Sequence, residues 1–249
     1  MARNPLWALL LAVPALMLAG CNKADDAATN GAVANAVAAV PAPAGTRWSE
    51  QVVETPEGGV RMGNPNAALK VIEYGSFTCP HCRDFAKEGD ELLASKYVDS
   101  GKVSFEYRSF IRDPIDLTVA LVARCGGPST FFAMAQQLFG NQDAMFATLK
   151  EKGDAQLQKV GEMPPAQRFQ ELALLAGLID FAKARGLPEP QLRACLSDKA
   201  RAEGLAKVND AAIKTYNVSG TPTLILNNSV LEGVATWEAF ETRLRNAGA

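Results

Sequence analysis

Strand signals on both sides of a long helical block predict an α/β fold, a small mixed sheet with a helical domain inserted into it. Three observations carry this expectation. Short apolar runs rich in β-branched and aromatic residues occupy 69–74, 103–110 and 223–226. Between the second and third runs, from Asp116 to about Asn209, apolar residues recur at helical intervals. A helical pattern also follows the first run and closes the chain at 236–246. Both sheet segments lie outside the insert, so the two parts are expected to pack as one body.

Composition fits a chain with a full apolar core. Of 249 residues, 48% are hydrophobic and 21% charged. The formal net charge is -2, from 25 Lys plus Arg against 27 Asp plus Glu. Such a chain has no basic field with which to hold a phosphate backbone, which argues against nucleic acid as a partner.

The N-terminal segment reads separately. Arg3 precedes an apolar run over 6–19 that ends in Leu18-Ala19-Gly20-Cys21, the order of a signal peptide. About 14 apolar residues are short for a bilayer span, which needs roughly 20. The last four residues resemble the lipobox of bacterial lipoprotein precursors. That resemblance implies a signal peptide over 1–20 and Cys21 as the lipidated first residue of the mature chain, bound to the lipid bilayer by its acyl chains. An ordinary cleaved signal peptide, or a short membrane helix with a coincidental cysteine, is the other reading. Asn22 leaves transfer to the outer membrane open, so the choice of inner or outer membrane is not fixed. Residues 21–47 are mostly small or polar, with few large aliphatics, and read as a flexible lipid-anchored tether. A globular domain is expected from Trp48.

Within that domain, residues 48–62 carry Val52, Val53, Val60 and Met62 around Pro56 and Gly58-Gly59, the pattern of two short strands or an irregular hairpin. After the Gly63-Asn64-Pro65 turn, 69–74 reads as a central strand, and Ser76 to Pro80 carries the chain out of it. From Cys82 onward, Phe85, Leu92, Leu93 and Tyr97 recur at helical spacing. The strand at 103–110 completes the first sheet segment, 48–115. The insert is placed at 116–215, with breaks at Gly126-Gly127-Pro128, Gly140-Asn141, 161–165 and 186–190. Its strongest single helical run is 169–185. The second sheet segment, 216–249, contains strands at 223–226 and 230–231 and the final helix.

The chemistry-bearing motif is Cys79-Pro80-His81-Cys82. A Cys-x-x-Cys pair serves metal binding, a structural disulfide or redox exchange, and its place between a strand and a helix selects redox exchange. Cys79 falls at the helix start, where free N–H groups and the helix dipole stabilise a thiolate. Cys82 lies one turn deeper and less exposed. His81 is the single histidine of the chain; its ring is expected to act on the Cys79 thiolate, against the alternative of a plain surface residue. Pro80 is tolerated at the first helical position and shapes the turn. No metal is expected, because tetrahedral zinc needs four ligands and this cluster offers no converging fourth group. The redox-active cysteine pair itself would serve as the reactive group, without a cofactor. Of five cysteines, assigning Cys21 to lipid leaves Cys125 and Cys195 as a long-range disulfide pair or as two buried thiols. A disulfide there would contribute about 2 to 4 kcal/mol.

The segment Phe77-Thr78-Cys79-Pro80-His81-Cys82, with Glu73 ahead of it and Thr221-Pro222 after the helical block, resembles the DsbA-like branch of the thioredoxin superfamily, over roughly residues 64–249. The resemblance implies a thioredoxin fold with an inserted helical domain and disulfide exchange in exported proteins. It implies a cis peptide before Pro222, with the Thr221 backbone facing an extended substrate segment. It also implies that Glu73 is a buried acid beneath the site, a proton acceptor for Cys82; by residue type alone, Glu73 would be an exposed strand residue. Some family members carry an extra disulfide in the insert. Typical oxidases of the family have a membrane quinone-linked partner that reoxidises them. Thr221 departs from the Val common in the best-known oxidases and is commoner in isomerases. The tether, however, is too short for the dimerisation domain of family isomerases. The expectation is therefore a monomeric dithiol oxidase, lipid-anchored in the bacterial cell envelope and facing the periplasm, acting on exported proteins with cysteine thiols or disulfides. The alternatives are an envelope reductase or isomerase and a non-catalytic peptide-binding chaperone module.

Overall fold

In a computed structural model of the protein, which describes residues 36–249, Val52–Glu54 (β1), Val60–Gly63 (β2), Leu69–Gly75 (β3), Val103–Ser109 (β4), Thr223–Leu226 (β5) and Ser229–Val230 (β6) form one sheet. The strand order is β1-β2-β4-β3-β5-β6. β3 and β4 run parallel, and each other neighbouring pair is antiparallel. β3 is thus central, as its apolar run predicts. The signal-peptide region 1–20, Cys21 and the first part of the tether lie outside the described residues.

The last part of the tether departs from the expected free spacer. Val37 N donates to Gly248 O at 2.8 Å, Val40 N to Ser100 O at 2.9 Å, and Trp48 Nε1 to Val40 O at 2.7 Å. Val37 is also partly buried against the core. The physical reason is local: Gly248 follows the last helix and Ser100 sits in a turn, so both offer carbonyls without an intrahelical or sheet partner.

Parallel β3 and β4 require a crossover, and Pro80–Leu92 (α1) supplies it. Phe85, Gly89, Leu93 and Tyr97 form one stripe, the coil widening into a π turn over Leu93–Val98. Leu92 falls outside that stripe and is exposed. The stripe meets Trp237–Asn246 (α10), which is capped by Thr236 Oγ1 accepting from Ala239 N. Trp237 packs edge-on to Phe85, with ring centres 6.0 Å apart, and Phe240 lies 5.6 Å from the same ring. Gly89 lets the helices approach, because a Cβ there would overlap the Trp237 indole.

The helical insert runs as Pro114–Arg124 (α2), Phe131–Gly140 (α3), Gln142–Lys152 (α4), Asp154–Gly161 (α5), Pro165–Leu175 (α6), Leu178–Lys183 (α7), Glu189–Leu196 (α8) and Lys199–Tyr216 (α9). The fold is therefore the predicted one, a mixed sheet carrying an inserted helical domain. The run at 169–185 is broken where one helix was expected. Gly177, at φ 70°, takes the left-handed conformation between α6 and α7, which glycine enters without steric cost. Cys125 and Cys195 form a disulfide that joins the end of α2 to α8, with Cα atoms 5.7 Å apart.

The sheet is covered on both faces. Val71, Phe105 and Tyr107 belong to the large core that also holds Phe85 and Phe240 of α1 and α10. On the opposite face Tyr74 and Ile225 pack with Val208 and Ala212 of α9. Among the described residues, no single helix is long and apolar enough to cross a membrane.

The α1–α10 contact makes a sharp prediction. Glycine to alanine favours an isolated helix by up to about 1 kcal/mol, yet Gly89→Ala should destabilise the protein by about 1–3 kcal/mol through overpacking against Trp237. Denaturant unfolding of the parent and variant checks this; an unchanged or higher midpoint would refute the close approach.

Candidate active site

Cys79 is the N-cap of α1 and Pro80 its first residue. The cap leaves the first N–H groups of the helix free to point at the Cys79 side chain. Cys79 and Cys82 are both free thiols, with exposures of 4% and 0%, so Cys82 is sealed and Cys79 reaches solvent only at its edge. Thr221-Pro222 is a cis peptide. It brings Thr221 across the groove, where the neutral Cys79 thiol donates to Thr221 O at 3.3 Å.

The two sulfurs are pushed in opposite directions. Cys79 is lowered to about 5, chiefly by the hydrogen bond from the Cys82 thiol, against the opposing effect of burial. Donation from Thr221 and from the backbone N–H groups of Cys82 and His81 adds to the lowering. The Thr221 carbonyl works the other way, since it accepts from the protonated form, but the donors outnumber it. Cys82 is raised well above the ordinary thiol value, first by burial, then by its bond to Cys79 and by the nearby Glu73 and Cys79 charges. Ser76 N, which donates to Cys82 Sγ at 3.5 Å, only partly offsets this.

His81 contributes to the Cys79 site through its backbone. Its side chain is exposed and makes no hydrogen bond among the described residues, whereas its backbone N–H contributes to the Cys79 thiolate. The first turn of a helix directs side chains outward and N–H groups toward the cap, which accounts for the difference.

Glu73 is buried, at 3% exposure. Burial raises its carboxyl well above the usual range, and the charges of Asp90 and Cys79 add to this. Tyr107 is its partner in the β3–β4 register, and the Tyr107 hydroxyl is buried without a hydrogen-bond partner among the described residues. A Cβ on Gly75 would lie 2.8 Å from both Glu73 Oε1 and the Tyr107 hydroxyl, so Gly75 leaves these groups their space. Asp90, three turns along α1, is pushed up to about 7 by burial alone.

Several positioning residues carry no signal in the sequence. Gln142 of α4 is buried, and its Nε2 donates to Phe77 O at 2.8 Å and Cys79 O at 3.0 Å. Asp116 of α2 is fully buried and accepts from Phe77 N at 2.8 Å and Arg112 N at 3.0 Å. Ser76 and Thr78 exchange a hydroxyl bond at 3.1 Å beneath the same loop. The insert therefore grips the backbone on which Cys79 sits. Cys125 and Cys195 stand apart from this cluster in their own disulfide. Among the described residues no group of His, Cys, Asp or Glu side chains is placed to hold a metal ion.

Two outcomes follow from these protonation states. Titration of the reduced protein by thiolate absorbance should show Cys79 ionising at about 5. Cys82→Ala should raise that midpoint more than Thr221→Val does, because the Cys82 thiol is the largest stabilising contact; equal or absent shifts would refute the assignment. For Glu73, a folded pKa above the ordinary 4.5 means that its contribution to stability is fully present below 4.5 and lost as pH rises through the folded value. Glu73→Gln should accordingly stabilise the fold at neutral pH, and the gain should vanish below about pH 4.5. Urea unfolding across that range measures it.

Comparison with known proteins agrees with this geometry. The thioredoxin family matches residues 55–246. The chain is similar to the crystal structure of a protein-disulfide isomerase from Novosphingobium aromaticivorans, with 37% identity and a TM-score of 0.72 over 75% of this chain and 95% of that one. It shares its fold with alpha-DsbA1 of Wolbachia pipientis, at 20% identity and a TM-score of 0.61, over 80% and 94% of the two chains. A putative protein-disulfide oxidoreductase of Rickettsia prowazekii is 29% identical over 67% of this chain and 53% of its own length. The chain spans about half the length of the curated relatives it matches. With a family model that matches residues 55–246, the chain belongs to the thioredoxin family.

Proposed function

We propose that the protein is a thiol:disulfide oxidoreductase working chiefly as a dithiol oxidase of exported proteins. The observation that carries this reading is the opposed tuning of its two thiols, Cys79 lowered to about 5 and Cys82 raised well above its ordinary value. Stabilising the Cys79 thiolate stabilises the reduced enzyme, which makes the Cys79–Cys82 disulfide more oxidising.

In the oxidising direction, a substrate thiolate attacks Cys79 Sγ of the enzyme disulfide. The Cys79–Cys82 bond breaks, a mixed disulfide forms at Cys79, and Cys82 leaves with the electron pair. The raised pKa of Cys82 makes it take up a proton, and Glu73, itself raised, is the buried acid placed to give it. A second substrate thiolate then attacks its own sulfur in the mixed disulfide. Cys79 leaves as a stable thiolate, and two electrons have passed from substrate to enzyme. In reverse, the Cys79 thiolate attacks a substrate disulfide, and Cys82 resolves the intermediate after losing its proton to Glu73. The Thr221 backbone is the pairing edge for an extended substrate segment. A membrane redox partner would accept the electrons, and acylated Cys21 would hold a monomeric enzyme to the envelope with the domain facing the periplasm.

A second reading, isomerase or reductase, is favoured by Thr221 and by the similarity to the protein-disulfide isomerase of Novosphingobium aromaticivorans. The potential of the Cys79–Cys82 pair, measured in purified protein against glutathione buffers, separates the two. It should lie above about -180 mV, whereas a value near about -270 mV would sink the oxidase reading. Reactivation of a test protein with scrambled disulfides should then be slow relative to oxidation of the same protein in its reduced form.

A further inference from the structure

With Glu73 as the base for Cys82, the reading on which this step rests, we propose that Asp90 is the proton outlet of the active site. It carries the proton of Glu73 to and from water in a cavity between α1 and β2, away from the substrate groove. The cavity has a volume of about 400 Å³ and is lined by Asp90, Glu91 and Ala94 of α1, Met62 of β2, Phe132 of α3 and Arg47. In the sheet, β2 and β5 flank the central β4–β3 pair on opposite sides. Asp90 therefore meets solvent on the β2 side, while Thr221 precedes β5, so a substrate segment lying along Thr221 leaves the cavity open.

Strand register and helix spacing place Asp90 between Glu73 and solvent. Met62, on the cavity wall, pairs with Phe105 of β4, which pairs with Val71 of β3. Glu73 lies two residues further along β3, about 7 Å on and on the same face. On α1, Cys82, Ala86 and Asp90 follow at intervals of four along one side of the helix, and Cys82 to Asp90 spans about 12 Å. β3 runs toward the cysteines and α1 away from them, so Glu73, two residues before the end of β3, stands between Cys82 and Asp90. The charges follow the same order: Asp90 acts on Glu73 more strongly than Cys79 does, and Glu73 acts on Cys82.

Glu73 itself is 3% exposed, and burial holds its carboxyl well above the ordinary range, yet only its carboxylate can take the proton of Cys82. Asp90 is half-buried and titrates at about 7. Near neutrality it is ionised often enough to accept from Glu73 and protonated often enough to give the proton back. Among the described residues no ion pair or hydrogen bond reaches its carboxyl. Arg47 is turned to Glu50 at 3.2 Å and Asp99 at 3.8 Å, Glu91 is exposed, and α3 and β2 present Phe132, Ala133, Gln136 and Met62, none of which titrates. In the step, Glu73 gives its proton to the Asp90 carboxylate, Asp90 passes it to cavity water, and the Glu73 carboxylate takes the proton of the Cys82 thiol. The Cys82 thiolate attacks Cys79 Sγ of the mixed disulfide, that S–S bond breaks, and the substrate sulfur leaves with the electron pair.

The purified reduced protein is mixed with saturating oxidised glutathione and quenched in acid at intervals, and the decay of its glutathione-linked form is read by mass across the neutral pH range. The parent rate should climb through about pH 7, where Asp90 ionises; a profile without that rise overturns the proposal. Asp90→Asn should remove the rise and slow resolution about a hundredfold, the lower end of what a positioned proton carrier contributes. Asp90→Glu, and imidazole added to Asp90→Asn, should each restore most of the rate. A neighbour acting by its charge alone predicts the opposite sign, because its removal lets Glu73 ionise more readily. Asp90→Asn that resolves as fast as the parent or faster overturns the proposal, and so does a slow Asp90→Asn that imidazole does not rescue beside an equally slow Asp90→Glu, the mark of a packing role. If Glu73→Gln resolves as fast as the parent, Glu73 is not the base and the outlet falls with it, whereas a slow Glu73→Gln beside an unslowed Asp90→Asn removes Asp90 alone.

Discussion

Negative charge on the Cys79 sulfur is the quantity around which the rest of the site is arranged. A thiolate in a crevice that is nearly closed to water would be unfavourable by itself, because burial opposes ionisation. Here the Cys82 thiol, the Thr221 hydroxyl and two N–H groups of the first helical turn supply the donors that water would have provided. The donors come from two sides of the groove, and the two sides depend on different parts of the fold. The first turn of helix α1 presents both the N–H groups and the Cys82 thiol, and the strand β5 side of the sheet delivers Thr221 through a cis peptide.

Such an arrangement demands a fixed backbone at Cys79, and the helical insert provides it. Gln142 and Asp116 hold the loop from above and behind, by bonds to Phe77 and to Cys79 O. Phe77 itself is wedged between Phe139 of the insert and Tyr107 of the sheet, with ring centres 4.8 and 5.5 Å away. The insert is therefore part of the support of the reactive loop as well as a cover over the sheet. The Cys125–Cys195 disulfide ties α2, the helix that carries Asp116, to α8 of the same support.

How much of this the amino-acid sequence discloses depends on how far apart the cooperating residues lie. The strands and α1 were legible because alternation and helical spacing are local, and the two cysteines because their spacing is a motif. Glu73 and Thr221-Pro222 became legible through family resemblance. Gln142 and Asp116 were not legible by either route: Gln142 lies 63 residues from Cys79, and an interior glutamine at the start of a helix looks like any solvent-facing one. Asp90 was hidden for the same reason, since burial of a single acid on an otherwise polar turn of α1 is a tertiary event. The docking of Val37 and Val40 also depends on partners distant in the chain, Gly248 and Ser100. At His81 the residue type draws attention to the ring, while the backbone nitrogen, which carries no signal in the sequence, adds a hydrogen bond of its own to Cys79.

The docked segment at Val37 and Val40 sets an orientation. It runs beside Ser100 and Gly248, at the end of the sheet where β3 and β4 begin, whereas the sulfurs lie past the end where β3 finishes. Seven residues of strand separate those two poles by about 20 Å. An attachment ahead of Val37 would thus hold the domain by its foot, with the reactive cysteine at the head. A thiol on a passing polypeptide would meet that head directly, but a donor or acceptor fixed at the level of the foot would have to reach along the whole height of the sheet.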